Sequence, residues 1–151
     1  MKILYNDCYG VGFSLSEAFI AEFEIRTGRK IHAQKVLFQR GKGSIRCDPV
    51  AIAIVEEKGT AWASGPGSQI AIFEIAEVFE SYWEIEENEG DEYVRVLVSD
   101  ALADVLHTFM ETGDEATMRK QYKAITESYN LKKGSTDLHS DVHTYFGVTS
   151  P

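Results

Sequence analysis

The chain is poor in cysteine, in basic residues and in long apolar runs, and each shortage excludes a class of protein. Two cysteines, Cys8 and Cys47, are too few for a disulfide framework, so we expect free thiols in a reducing compartment. Fifteen Lys and Arg stand against 24 Asp and Glu, and the net charge of -9 argues against nucleic acid or an anionic membrane as a partner. No apolar run approaches the roughly 20 residues of a membrane span, and no signal peptide is visible.

What is present predicts one α+β domain. A length of 151 residues with 44% hydrophobic content is enough for a real core. The patterns predict a mixed or antiparallel sheet of about four to five strands, packed by two helices, with a C-terminal helical hairpin. The predicted core spans 1–98, the helical hairpin spans 100–130, and a polar tail follows over 131–151.

The N-terminal stretch reads as strand, glycine loop and helix. Lys2 to Tyr5 is a short apolar run, and residues 6–13 break it with two glycines. Ser14, three residues before Glu17, predicts a capping box at the start of a helix that ends at Gly28. Phe19, Ile20, Phe23 and Ile25 form its expected apolar stripe.

The remaining elements follow from local patterns. Asp48 and Pro49 predict a helix start, and Gly59 predicts its end. Strands are expected over 29–39, 69–75, 82–86 and 93–98, with a loop over 60–68 and a hairpin loop over 87–92. Two apolar stripes at helical spacing predict helices from Asp100 to Gly113 and from Asp114 to about residue 130.

Three separated blocks of residues carry a family resemblance. The blocks are Asn6-Asp7-Cys8-Tyr9-Gly10 with Phe13-Ser14-Leu15-Ser16-Glu17, then Arg46-Cys47-Asp48-Pro49 with Ile54 to Gly59, and the acidic stretch Trp83 to Glu92. Together they resemble a family of small uncharacterised bacteriophage proteins, whose blocks read roughly N-x-C-Y-G-G-F-x-L-S-x-x-A, R-x-D-P with V-x-E-x-L-G, and W-x-I-x-E-x-x-G-x-E. This chain departs by an extra residue in the glycine loop and by an added helical C-terminus. The resemblance implies a viral origin and no particular activity.

The first candidate site is an anion-binding loop. Its residues are Asp7, Cys8, Tyr9, Gly10, Gly12, Ser14, Arg46 and Asp48. Free N–H groups at a helix N-terminus can hold an anion, and Arg46 can add a bidentate contact. The structural alternative is that Ser14 and Asp48 are only caps and that Arg46 pairs with a local acid, with Asp7 of the first loop as the expected partner. Cys8 is either a nucleophile or, as free cysteines more often are, a buried inert thiol.

The second candidate is a metal site in the tail. Asp137, His139, Asp141 and His143 alternate, so an extended chain places them on one face. Two imidazoles and two carboxylates suit zinc or another divalent ion, and no other cofactor is expected. The alternative is that Leu138 and Val142 simply dock the tail on the core.

The third candidate is an acidic strip, which comprises Glu84, Glu86, Glu87, Glu89, Asp91 and Glu92. On an exposed hairpin these carboxylates either form a solvated edge that discourages strand addition or meet a basic partner. The sequence thus favours a small soluble phage protein that binds a host protein in the host cytoplasm, as a host-takeover or anti-defence factor. A binder of a small anionic ligand, such as a phosphorylated metabolite or signalling nucleotide, is the alternative, with or without catalysis. A minor virion component is the third.

Overall fold

The computed structural model describes residues 1–31 and 43–132, with side chains described as far as residue 129. The chain divides into two compact units. The first unit comprises Met1–Ile75 and Trp83–Val96, and the second comprises Ala76–Tyr82 together with the chain from Leu97 onwards.

The first unit holds four strands and three helices in the described residues. In chain order they are β1 (Lys2–Asn6), α1 (Glu17–Thr27), a 3-10 turn (Ile45–Cys47), α2 (Pro49–Lys58), α3 (Thr60–Ala63), β2 (Ile70–Glu74), β3 (Trp83–Asn88) and β4 (Asp91–Val96). The α+β class is therefore confirmed. The short helix α3 replaces the start of the loop predicted over 60–68. Of the strand predicted over 29–39, residues 32–39 lie outside the described residues, and 29–31 are not in a strand.

The four strands do not form the single sheet that the sequence predicted. β1 pairs antiparallel with β2, and β3 pairs antiparallel with β4, which gives two separate two-stranded sheets among the described residues. At the last residue of β1, the backbone N–H of Asn6 donates to the Glu92 carboxylate of β4 at 2.9 Å. The Glu92 carboxylate occupies the acceptor position that a strand carbonyl would have in a continuous sheet. The two sheets therefore contact each other at Asn6 but do not form one sheet.

The β3–β4 hairpin is longer than predicted, because its loop has two residues instead of six. Asn88 pairs with Asp91, and the turn residues Glu89 and Gly90 have φ of 52° and 90°. Two central residues with positive φ are the mark of the tight turn that matches strand twist. The pairing therefore extends through Glu92, which faces the same side as Val94 and Val96.

The helices of the first unit begin and end at capping residues, most of which the sequence predicted. Ser16, and not Ser14 as predicted, caps α1: its hydroxyl accepts from the Phe19 N–H at 3.0 Å. The predicted end at Gly28 is confirmed, with φ of 68°. The predicted cap of α2 is also confirmed, since Asp48 accepts from the N–H groups of Val50 and Ala51 at 2.8 and 3.2 Å.

The core of the first unit lies between α1, α2 and the β1–β2 ribbon. Its buried apolar members are Leu4, Phe13, Leu15, Phe19, Phe23, Ala51, Ile52, Ile54, Val55, Ala63 and Ile70. Ile25 is not among them, contrary to expectation, and is 79% exposed.

The second unit is the predicted helical hairpin. It consists of α4 (Val98–Thr112) and α5 (Glu115–Lys132), with a 3-10 turn (Glu77–Phe79). Gly113 ends α4 in the left-handed conformation, and the Asp114 carboxylate accepts from the Thr117 N–H at 3.0 Å. No described helix has the length and apolar content needed to cross a bilayer.

A shallow groove lies between the helices of this hairpin. It is lined by Val105, Thr108, Phe109, Thr112, Asp114, Thr117, Met118 and Gln121. The carboxylate in this lining, Asp114, has a lowered pKa because the Thr117 hydroxyl and N–H donate to it. The groove therefore holds a helix cap rather than a reactive group.

Candidate functional site

A buried ion pair between Arg46 and Glu92 lies behind the glycine loop. The Arg46 side chain is 0% exposed and that of Glu92 is 2% exposed. Nη1 donates to Oε2 at 2.6 Å and Nη2 donates to Oε1 at 2.8 Å, which is the bidentate geometry of a strong charge-assisted contact. The prediction that Glu92 belongs to a solvated strip is therefore wrong.

The surroundings of Arg46 add further contacts from inside the protein. Its guanidinium carbon lies 3.8 Å from the centre of the Phe13 ring, a cation–π arrangement. Nη1 also lies 3.5 Å from the Leu4 carbonyl oxygen. Phe13 belongs to the predicted loop, so Arg46 contacts that loop through an aromatic face. Its charged partner is Glu92, and not Asp7.

Asn6 joins the loops around this pair. Its amide nitrogen donates to the carbonyl oxygens of Cys8 and Gly90 at 2.7 and 2.6 Å. Its amide oxygen accepts from the Ser68 hydroxyl at 2.8 Å and from the Gln69 N–H at 2.7 Å. One fully buried side chain thus fixes three segments that are distant in sequence.

These segments form what we call the three-loop tip: residues 7–14, 64–68 and 87–91. The Gly10 N–H donates to the Glu89 carbonyl at 2.9 Å. A Cβ built on Gly90 would lie 2.3 Å from the Gly10 carbonyl oxygen, so only glycine fits there. A Cβ on Gly67 would lie 3.0 Å from a methyl group of Val11. The three loops are therefore packed together by their backbones.

The outer surface of the tip carries two exposed apolar side chains and several carboxylates. Tyr9 is 66% exposed and Val11 is 62% exposed. Asp7 and Glu89 are also exposed, and Asp91 is partly exposed. Residues 7–14, 64–68 and 87–91 contain no Lys, Arg or His.

The pKa of Tyr5 is affected by two carboxylates at this end of the first unit. Partial burial raises the pKa of the Tyr5 hydroxyl, and the carboxylates of Asp7 and Asp91 raise it further. Both acids therefore act on one group, although they come from different loops.

The predicted site residues are only partly brought together. Asp7, Cys8, Tyr9, Gly10, Gly12 and Ser14 lie on the first loop of the tip, while Arg46 is buried behind it. Cys8 is partly buried and lies 3.4 Å from the Asn6 amide oxygen.

Asp48 has a separate role at the start of α2. Beyond its two backbone contacts, its carboxylate accepts from Arg29. Partial burial opposes its charge, but the hydrogen bonds from Arg29, Ala51 and Val50 outweigh burial, so the pKa of Asp48 is lowered. Asp48 is thus held as an ionised helix cap.

The metal hypothesis remains a prediction. Asp137, His139, Asp141 and His143 lie outside the described residues. Within residues 1–31 and 43–132, no group of three or more His, Cys, Asp or Glu is placed to hold a metal ion.

Sequence reasoning missed Asn6, Phe13 and Glu92 as the residues that organise this end. A signal for Glu92 was present, since it alternates with Val94 and Val96, and Ile85 and Trp83 continue that buried face on the paired strand. An acid in line with apolar residues predicts a buried carboxylate that needs a cation. Placing the hairpin loop over 87–92 concealed the pattern.

Comparison with known proteins gives no assignment. No family model matches the chain, and neither the curated proteins nor the solved structures contain a significant match.

Proposed function

We propose that the protein is a bacteriophage protein that binds a host protein in the cytoplasm of the infected cell, as a host-takeover or anti-defence factor. The viral origin is supported by the three sequence blocks that resemble small phage proteins. The observation that carries the binding role is the exposure of Tyr9 and Val11, at 66% and 62%, on the three-loop tip.

The tip has the properties of a preorganised binding surface. Asn6 and the Gly10–Gly90 contact fix the loops before any partner arrives, so little conformational entropy remains to be lost on binding. Tyrosine is enriched among the residues that dominate binding energy, because it buries a large area with few rotatable bonds. An exposed Tyr9 on a loop whose backbone is held by these contacts therefore suits the centre of a protein interface.

The small-anion alternative receives no support from Arg46. That proposal needed a guanidinium facing solvent, whereas both terminal nitrogens of Arg46 are bonded to Glu92 in the interior. The function is accordingly proposed as binding through the tip surface and not as catalysis at Arg46.

The test is affinity capture from lysates of bacteria, with mass spectrometry of the retained proteins. The bait is the wild-type chain, the double variant Tyr9→Ala/Val11→Ser, or the control variant Ile25→Ser. Ile25 is the matched control because it is an exposed apolar residue of the same unit on α1. We expect one host protein that is retained by the wild type and by Ile25→Ser and is lost with the double variant. Equal retention by all three baits, or no specific retention, contradicts the proposal.

A further inference from the structure

The charge pattern of the tip identifies the kind of partner that it fits. Asp7, Glu89 and Asp91 lie on the same two loops as, or beside, the exposed Tyr9 and Val11, and these loops are joined by the Gly10–Glu89 hydrogen bond. Residues 7–14, 64–68 and 87–91 contain no basic residue. Elsewhere in the first unit, several exposed acids are paired with basic residues, as in the Lys2–Glu56 and Arg95–Glu84 pairs. These segments of the tip therefore carry charge of one sign only.

Among the described residues, the buried cation next to the tip does not neutralise this charge. Arg46 lies behind the loops, but it is committed to the buried Glu92 in a bidentate pair. Burial raises the pKa of Tyr5 and both Asp7 and Asp91 raise it further, so both carboxylates lie near this hydroxyl although they come from different segments. A surface that carries charge of one sign attracts a surface of the opposite sign and repels acidic surfaces.

We infer that the partner of the three-loop tip is a protein segment rich in Lys and Arg, with an apolar socket or side chain that receives Tyr9 and Val11. This inference rests on the proposed function and names the chemistry of its partner. The exposed carboxylates of the tip disfavour nucleic acid, whose phosphates they repel. A second copy of this chain, which itself carries a net charge of -9, is disfavoured for the same reason.

The probe is a randomised 12-residue peptide library, selected on the immobilised full chain. We expect the enriched peptides to carry net positive charge and at least one aromatic or large aliphatic residue. Neutral or acidic enriched peptides overturn the inference, and so does a failure to enrich any peptide above the uncoated support.

Charge variants then test where the selected peptides bind. Asp7→Asn/Glu89→Gln removes two charges from the tip. Glu56→Gln/Glu57→Gln removes two charges from the exposed end of α2 and is the matched control. We expect the tip variant to weaken binding about 10-fold, mainly through a slower association rate that also falls as salt is raised, and the control to change it less than about 2-fold. Equal effects of the two variants, or binding that is independent of salt, overturn the inference.

The two proposals fail separately. Because the library contains no host protein, basic peptides that bind the tip support the partner chemistry even where host capture finds nothing. A host protein that is lost with Tyr9→Ala/Val11→Ser, together with neutral library peptides, supports the binding function and overturns the basic partner. Self-association of the wild-type chain through the tip, measured by sedimentation, would also overturn it.

Discussion

Arg46 and Glu92 are 46 residues apart in the chain and meet in the interior of the first unit through two parallel hydrogen bonds. Glu92 also accepts from the Asn6 N–H, so this carboxylate links the 3-10 turn, β1 and β4. The pair connects two small sheets that share no strand pairing among the described residues. Because the Arg46–Glu92 pair lies between the two sheets, we expect the stability of the first unit and the packing of the three-loop tip to depend on it.

Arg46→Met should destabilise the first unit by about 3 to 5 kcal/mol, because it leaves the Glu92 charge buried and unpaired. Trp62 and Trp83 are the only tryptophans of the chain and both lie in the first unit, so urea unfolding followed by their fluorescence reports on it. The double variant Arg46→Met/Glu92→Gln should be more stable than Arg46→Met alone, since the introduced glutamine is neutral and still offers an oxygen to the Asn6 N–H. A double variant that is less stable than the single one would contradict the buried-pair account.

Asp48→Ala should reduce the free energy of unfolding by about 1 to 2 kcal/mol, because it removes the cap from two N–H groups of α2. Asp48→Asn keeps an oxygen at the same place and is the matched control. Asp48→Asn should lower the free energy of unfolding less than Asp48→Ala does in the same urea experiment. Equal losses would show that capping does not explain the effect.

The same residue predicts a pH dependence. The pKa of Asp48 is lowered from its ordinary value of 3.8 in the folded protein, so ionised Asp48 stabilises the fold above that pH. This contribution is lost as the pH falls through the lowered pKa. The stability difference between wild type and Asp48→Asn should therefore be constant near neutrality and shrink below about pH 4. A difference that grows on acidification would contradict the direction of the shift.

Gly90→Ala should disrupt the three-loop tip more than an ordinary glycine substitution does. Gly90 has φ of 90°, and an added Cβ would lie 2.3 to 2.8 Å from three backbone atoms of Gly10. Gly28→Ala is the control, because Gly28 has φ of 68° but no atom within 4 Å of an added Cβ. Gly28→Ala should lower the free energy of unfolding by about 1 to 2 kcal/mol, because a residue with a side chain is strained in the left-handed conformation. Gly90→Ala should lower it clearly more.

Hydrogen exchange separates the two glycine variants further. The Gly10 amide, which donates to the Glu89 carbonyl, should exchange faster in Gly90→Ala than in the wild type. It should be unchanged in Gly28→Ala. Unchanged Gly10 exchange in both variants would show that the Gly10–Gly90 approach does not hold the tip together.

Local chemistry allowed the sequence to predict most helix ends and the presence of the β3–β4 hairpin, although not its two-residue turn. Asp48 followed by Pro49, and Gly28, Gly59 and Gly113 beyond apolar stripes, specify their ends through groups a few residues away. The cap of α1 was misplaced because Ser14 and Ser16 are both suitable hydroxyls. Long-range contacts decide between them, since the Ser14 carbonyl accepts from Gly65 and its N–H donates to Ser68.

The site was less predictable than the fold because its contacts are distant in sequence. Arg46 was expected to face Asp7 or an anion, but its partner Glu92 lies on a strand that the predicted loop over 87–92 had broken. Asn6 was treated as part of a turn, although its amide bonds residues more than 60 positions away. Neither the Arg46–Glu92 contact nor the contacts of the Asn6 amide produce a local periodic pattern in the sequence. Only the folded chain therefore shows that Arg46 contacts the tip from the interior.

The most direct test of the binding account is the affinity of the captured host protein for Tyr9→Ala, measured by titration calorimetry beside wild type and Ile25→Ala. The account predicts that Tyr9→Ala raises Kd about 30-fold or more, the change for a residue at the centre of an interface, while its urea midpoint stays that of the wild type. Ile25→Ala should change Kd by less than about 2-fold. A Tyr9→Ala variant that binds as tightly as the wild type would contradict the account.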